Sequence, residues 1–278
     1  MDREVQGKIA AVTGSANGLG LAMVTSFLEQ GVKLAIILDM DEVKGNEECA
    51  KLKQKYGDGR VVFYKCNVLD DLENIYETIT KNHKYVDILV NNAGVLDEKN
   101  IKRTMNINSI AVMEWTVKFY KNMSLANGGK GGTIINVSSI FGYRITQLSP
   151  YYHASKAAVI GFSKSIGHEK NFEKSGVRVI TLCPGMTHTN LADFPNFWEG
   201  CSLEELSAGS KNEWQETSAV GKGIVEIFKQ IISRTDKKII GHVKCIYTYN
   251  AGIQIHVQQP TDSYQTNQLL VDIIKPAL

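Results

Sequence analysis

No stretch of this 278-residue sequence is apolar for long enough to cross a bilayer, and neither sign of charge predominates, 31 Lys+Arg standing against 29 Asp+Glu. The first lack excludes a helical membrane span. The second excludes capture of nucleic acid or an anionic membrane by charge alone. The most basic stretch, KLKQKYGDGR from Lys51 to Arg60, lacks clustered arginines and interleaved aromatics and reads as a solvated helix face. Cysteine is scarce: five residues, odd in number and never spaced as C-x-x-C. That excludes a disulfide framework and a zinc site, and points to reduced thiols in the cytoplasm. The six histidines form no H-x-x-x-H pair, so no metal is expected. The start, MDREVQGKIAAVTG, runs from charges straight into a short strand-like segment and does not read as a signal peptide.

What the sequence does have is material for a core, 43% apolar residues, arranged as short β-branched runs alternating with helix-length amphipathic segments. The strand candidates are KIAAVT from Lys8, KLAIILD from Lys33, RVVFYKCN from Arg60, VDILVNN from Val86, GTIINVSS from Gly132 and VRVITLCP from Val177. Their near-continuous apolar character predicts strands buried on both faces of a parallel sheet. The segments between them, such as LGLAMVTSFLEQG and DLENIYETITKNHK, suit crossover helices, with Gly31 placed to end the first. The expected fold is α/β: one doubly wound parallel sheet with helices on both faces, spanning residues 1–278 as a single domain. Two regions depart from this pattern. Residues 190–215 are irregular and carry Phe194, Phe197, Trp198 and Trp214, which suggests a substrate loop. The C-terminal extension, 246–278, holds an alternating stretch around Asn-Ala-Gly that suits a hairpin.

VTGSANGLG places Gly14, Gly18 and Gly20 between the first strand and the first helix, with Asn17 and Leu19 beside them. A dinucleotide pyrophosphate must approach backbone N–H groups at a helix N-terminus, and a Cβ there would block it. The spacing G-x-x-x-G-x-G is not that of the common dinucleotide fingerprint, and alone it is weak. Position strengthens it: Asp39 follows nineteen residues after Gly20, at the end of the second strand. A carboxylate there can accept both adenosine ribose hydroxyls, which favours NAD, while Asp41 and the absence of Arg or Lys in the loop disfavour a 2′-phosphate. Asp39 as the N-cap of the next helix is the plainer alternative, and both roles can coexist.

In SPYYHASKAAV two tyrosines stand side by side, and Tyr152 has Lys156 at i+4. An i,i+4 pair shares a helix face. An ordinary tyrosine titrates near 10 and is a poor base at neutral pH. A lysine ammonium at ~4 Å and an effective dielectric of ~20 would favour phenolate by about 4 kcal/mol before desolvation is subtracted, which makes Tyr152 a credible general base.

In order along the chain, Gly14-x-x-x-Gly18-x-Gly20, NNAG from Asn91, NVSSIFG, Tyr152-x-x-x-Lys156 and PGMTHT resemble the motifs of the NAD-dependent short-chain dehydrogenase/reductase family. The resemblance spans residues 7 to about 245 and implies a single-domain Rossmann fold with hydride transfer between a nicotinamide and a carbinol or carbonyl carbon. It implies Tyr152 as acid/base, and Lys156 as the residue that tunes it and holds the nicotinamide ribose. Ser139 matches the serine that binds the substrate oxygen, with Ser138 as the alternative. Asn108 matches a helix asparagine that holds a relay water, Asn106 being two residues out of register. Asn92, Ala93 and Gly94 match the adenosine side of the cofactor pocket; Pro184, Gly185, Met186, Thr187 and Thr189 match its nicotinamide end. Asn67-Val68 stands where the family often has Asp-Val, and the amide oxygen can still accept from the adenine amino group.

The tail resembles that of the 15-hydroxyprostaglandin dehydrogenases and insect alcohol dehydrogenases. Leu148 and Ser149 replace the glutamines typical of the former, so prostaglandin is not carried over as substrate. Ser149 joins Ser139, Phe194, Phe197 and Trp198 as the expected substrate residues. The resemblance implies oxidation of a secondary alcohol or reduction of its ketone, in a homodimer or homotetramer, and the aromatic residues of 190–215 suggest that the alcohol is apolar (lipid, isoprenoid or steroid type). The rival class is a non-catalytic NAD-binding sensor or scaffold. Retention of Asn108, Ser139, Tyr152 and Lys156 together argues against it.

Overall fold

The structure is a computed structural model that describes residues 5–189, 191, 196–202, 214–233, 243–249 and 252–257. All six predicted segments form strands: β1 (Ile9–Thr13), β2 (Leu34–Asp39), β3 (Val61–Lys65), β4 (Ile88–Asn91), β5 (Gly132–Val137) and β6 (Val177–Leu182). Two more follow, β7 (Val243–Tyr249) and β8 (Gly252–Val257), and the eight lie in the order β3-β2-β1-β4-β5-β6-β7-β8. Pairing is parallel throughout except for β8, which runs antiparallel to β7 as the hairpin expected around Asn-Ala-Gly.

The helices are α1 (Gly18–Glu29), α2 (Glu42–Tyr56), α3 (Leu72–His83), α4 (Ile101–Met105), α5 (Val112–Met123), α6 (Pro150–Ile166), α7 (Glu169–Ser175) and α8 (Thr217–Ser233). One face of the sheet is covered by α1 and α8, whose Met23, Phe27, Val220, Ile224 and Phe228 join one core cluster. The other is covered by α3 and α5, through Ile75, Ile79, Trp115 and Phe119. Burial on both faces is why β1 and β2 carry no exposed position at all. Gly31 lies just beyond α1 at φ +86°, the left-handed backbone that ends a helix cheaply only in glycine. The lysines of α2 are solvated as expected; Lys51 is exposed and pairs with Glu48 at 2.8 Å. Among the described residues no helix is long and apolar enough to cross a membrane.

Strand order reverses at β1: the chain moves outward through β2 and β3, then returns to place β4 on the other side. The loops leaving β1 and β4 therefore diverge, and a crevice opens above the C-terminal strand ends.

Candidate active site

That crevice is lined by the glycine loop, the end of β2, the segment after β4, the end of β5, α6 and the turn after β6. Of the expected cofactor residues, Gly14, Asn17, Gly18, Leu19, Asp39, Asn67, Val68, Asn92, Ala93, Gly94, Tyr152, Lys156, Pro184, Gly185, Met186, Thr187 and Thr189 all line it. Gly20 does not, and its need for glycine is different from the expected one. A Cβ on Gly20 would stand 2.3 Å from the Gly14 carbonyl oxygen and 2.7 Å from Asn92 Nδ2. On Gly14 it would stand 2.8 Å from Ala93 Cα. These two glycines let the loop pack on the segment after β4 rather than clear room for a ligand.

At the start of α1 the first intrahelical bond runs from Leu21 N–H to the Asn17 carbonyl at 3.1 Å. The N–H groups of Gly18, Leu19 and Gly20 precede the helical ladder, and no acidic residue occupies that first turn. Such a helix start suits a pyrophosphate. Asp39 is buried, its Oδ2 accepting from Ala16 N–H at 2.9 Å and its Oδ1 from Asp41 N–H at 3.0 Å. Each oxygen keeps a lone pair for a ribose hydroxyl. The N-cap of α2 is Asp41, whose Oδ1 accepts from Lys44 N–H at 2.9 Å, so the capping alternative for Asp39 is corrected. Asn67 Oδ1 accepts from Leu69 N–H at 3.2 Å, while its Nδ2 donates to Asp70 at 2.7 Å, leaving one oxygen lone pair for an adenine amine. The residues present fit NAD.

At the other end, five residues of the YYHASK stretch have distinct tasks. Tyr151 stacks edge-on against Trp198, with ring centroids 5.4 Å apart. Tyr152 is buried and lines the crevice. The ring nitrogens of His153 engage the Phe141 carbonyl at 2.6 Å and Thr146 N–H at 3.1 Å, which holds the wall formed by residues 141–146. Ser155 donates to the Tyr152 carbonyl at 2.8 Å and accepts from Asn108 Nδ2 at 3.1 Å. Lys156 donates to the Val137 carbonyl at 3.0 Å, its Nζ lying 5.6 Å from the centre of the Tyr152 ring.

The serine alternatives separate here. Ser138 spends its hydroxyl proton on the Lys156 carbonyl at 2.8 Å, whereas Ser139 accepts from Phe141 N–H at 3.1 Å and is the serine that acts on the Tyr152 hydroxyl.

The electrostatics differ from expectation. Burial pushes the Tyr152 hydroxyl up to about 12, only partly opposed by the bond from Ser139. Burial likewise pulls Lys156 down to about 8. The ammonium does not dominate the phenol, because both groups lose water together and desolvation outweighs attraction across the observed separation.

Asn108 lies in a π-helical turn (Asn106–Ala111) between α4 and α5, a local widening common at functional sites. Its Oδ1 accepts from Val95 N–H at 2.8 Å, and its Nδ2 donates to the Val95 carbonyl at 2.8 Å and to Ser155. Both amide protons are committed. The side chain clamps the segment after β4.

The expected substrate residues divide. Ser139 and Phe197 line the crevice. Ser149 is buried at the start of α6 and does not, because it occupies the helix N-cap. Trp198 does not either, its ring being turned to Tyr151. Phe194 lies outside the described residues. Sequence reasoning missed Val95, Leu96, Phe141 and Leu191 as lining residues and, above all, Glu98, whose carboxylate accepts from the N–H groups of both Tyr151 and Tyr152 at 2.8 Å. Nothing in the local pattern VLDEKN marks that role. The segment expected to be a substrate loop is flanked by paired residues: Thr187 and Gln215 form a β-bridge, and His188 stacks on Trp214 at 5.0 Å. The Thr187 hydroxyl donates to the Gly185 carbonyl and accepts from Gln215, so it is committed to that pairing.

A model of the short chain dehydrogenase family matches residues 8–199. The chain is 39% identical over 191 residues to the rat (Rattus norvegicus) protein named 15-hydroxyprostaglandin dehydrogenase [NAD(+)], covering 68% of this chain and 71% of that one. It is 30% identical over 191 residues to alcohol dehydrogenase 1 of Ceratitis cosyra, covering 67% and 73%. Among solved structures, that of gox2181 shares the fold at TM-score 0.70 and 22% identity, covering 83% of this chain and 93% of its own.

Proposed function

The chain belongs to the short-chain dehydrogenase family, and from that premise we propose that it interconverts an apolar secondary alcohol and its ketone, with Tyr152 as acid/base. It is an NAD-dependent oxidoreductase. The observation that carries the reading of the site is the burial of Tyr152 and Lys156 together in one crevice beside Ser139.

NAD, when bound, supplies the hydride acceptor. The glycine loop and the start of α1 would hold its pyrophosphate, and Asp39 its adenosine ribose. Ser139 donates to the substrate oxygen and fixes the carbinol carbon. Tyr152 takes the hydroxyl proton during oxidation and returns it during reduction. Lys156 places a cation beside that proton transfer. Nothing in the site or among the relatives supports a non-catalytic sensor.

The apolar substrate class rests on Val95, Leu96, Phe141, Leu191 and Phe197, apolar side chains that line the same crevice as Ser139. NADH formation by the purified protein across secondary alcohols, from short aliphatics to isoprenoids, steroids and hydroxy fatty acids, is expected to favour long apolar members. It is also expected to prefer NAD over NADP. Equal rates for short and long alcohols would refute the substrate class. Phe197→Ala should raise KM for the long alcohols about 10-fold, the scale of a lost apolar contact, and leave short ones unchanged. Trp198→Ala, outside the crevice, should act on both alike through Tyr151.

We further propose that residues 1–278 form one catalytic unit with 190–215 as substrate loop and 246–278 as a C-terminal extension, cytoplasmic and assembled as a homodimer or homotetramer. Ile110 and Val117, exposed about two turns apart on the π segment and α5, support the association. Light scattering that finds a monomer would refute it.

A further inference from the structure

The start of α6 presents an unusual accounting of hydrogen bonds. Pro150 is the first helical residue and has no N–H, and Ser149 at the N-cap makes no side-chain capping bond. The first intrahelical bond runs from His153 N–H to the Ser149 carbonyl at 2.9 Å. The donors left over belong to the two tyrosines, and a single carboxylate takes both: Glu98 Oε2 from Tyr151 and Oε1 from Tyr152, each at 2.8 Å. Glu98 is 4% exposed and comes from the segment after β4, 53 and 54 residues earlier in the chain. Hydrogen bonds to an ionised acceptor are roughly twice as strong as neutral ones, and this charge also opposes the positive end of the helix dipole.

The backbone of Glu98 is tied in the opposite direction. Its N–H donates to the Asn196 carbonyl at 2.9 Å, and Trp198 N–H donates to the Leu148 carbonyl at 2.9 Å. With the Tyr151–Trp198 ring contact, the segment that carries Phe197 into the crevice hangs from the same point as the catalytic helix. The segment holding Glu98 is itself clamped, Asn108 gripping Val95 and Thr104 Oγ1 donating to the Asp97 carbonyl at 2.7 Å.

We propose that Glu98 is a positioning residue that sets Tyr152 against Ser139 and keeps that pair in register with the substrate wall at Phe197. The proposal rests on the reading of Tyr152 as acid/base. A misplacement of about 1 Å in such a pair costs on the order of 100-fold in rate. Glu98→Ala in the full chain is therefore expected to lower kcat on the order of 100-fold, with the NAD Kd within about twofold because Glu98 lies outside the crevice. Glu98→Gln keeps one acceptor oxygen, so its kcat should fall between wild type and Glu98→Ala. With a carbinol-deuterated form of the alcohol most rapidly oxidised in the panel above, the isotope effect on kcat should rise in both variants as the chemical step slows.

A plain helix cap predicts another pattern: a lower Tm, with kcat and isotope effect of the folded protein unchanged. That result overturns the proposal. Should the wild type oxidise no alcohol in the panel, the reading of function fails separately. A crystal structure of NAD-bound Glu98→Ala, or of Glu98→Gln if the alanine variant does not fold, then decides. Displacement of Tyr152 from Ser139 supports the positioning role, and an unmoved Tyr152 overturns it.

Discussion

Tyr152→Phe is expected to lower turnover about 10²- to 10⁴-fold, the usual worth of a general acid/base, while NAD binding persists. The substitution removes one hydroxyl and leaves the ring that fills the buried site. Among the described lining residues only Asp39, Cys66, Arg103, Tyr152 and Lys156 carry acid–base groups. Asp39 accepts from Ala16 N–H of the glycine loop, Arg103 pairs with Asp97 at 3.1 Å, and burial pushes the Cys66 thiol up to about 12. None of them replaces Tyr152 beside Ser139.

The pH dependence follows from the raised hydroxyl. Oxidation needs the phenolate, whose population in the free enzyme grows as pH rises towards about 12. The value of kcat/KM for oxidation should therefore climb with pH from 6 until Lys156 gives up its proton near 8. Reduction with NADH uses the protonated phenol and should be flat over the same range. Stopped-flow measurement of both directions checks this. A Tyr152→Phe enzyme that keeps wild-type kcat would remove Tyr152 from the mechanism.

The second large effect concerns Lys156, where activity and stability should move in opposite directions. Its 3% exposure and depressed value, from 10.5 to about 8, mean that folding at pH 7 carries a cost of about 3 kcal/mol for this ammonium. Lys156→Met removes that cost and strands the Val137 carbonyl, worth about 1 kcal/mol. The variant should gain about 2 kcal/mol, a Tm rise of about 5 °C, and lose turnover on the order of 10²-fold or more.

The wild-type cost is complete below pH 8 and fades as pH rises towards 10.5, because the unfolded chain holds the proton longer than the folded one. Stability of the wild type should thus gain on that of Lys156→Met between pH 8 and 10. Tyr152 does not interfere there, its hydroxyl staying protonated in the folded state and largely so in the unfolded one; its own effect, a loss of stability, comes above pH 10. Urea titrations of both proteins at pH 7 and 9.5 measure the difference. A less stable Lys156→Met at pH 7 would show that the ammonium contributes net stability.

The six central strands, the glycine loop and the Tyr152–Lys156 pair were legible because each is written in neighbouring residues. Near-continuous apolar runs mark strands buried on both faces, and a separation of four places two side chains on one helical face. Asp39 was legible as a carboxylate at a strand end, whereas its freedom from capping was not, since that depended on Asp41 taking Lys44 N–H.

Other assignments needed the assembled molecule. Ser149 was expected at the substrate from the family resemblance and Trp198 from the aromatic content of 190–215, yet one occupies a helix N-cap and the other packs on Tyr151. Asn108 proved to be a clamp on Val95, and Glu98 a brace on α6 from more than fifty residues away. The acid–base character of Tyr152 and Lys156 was decided in the same way. Two residues four apart state which charges can meet, but the water they lose is set by β5, β6 and the loops that close over them. Local chemistry and periodicity are properties of the sequence; desolvation and long-range hydrogen bonds are sums over segments that only folding brings together.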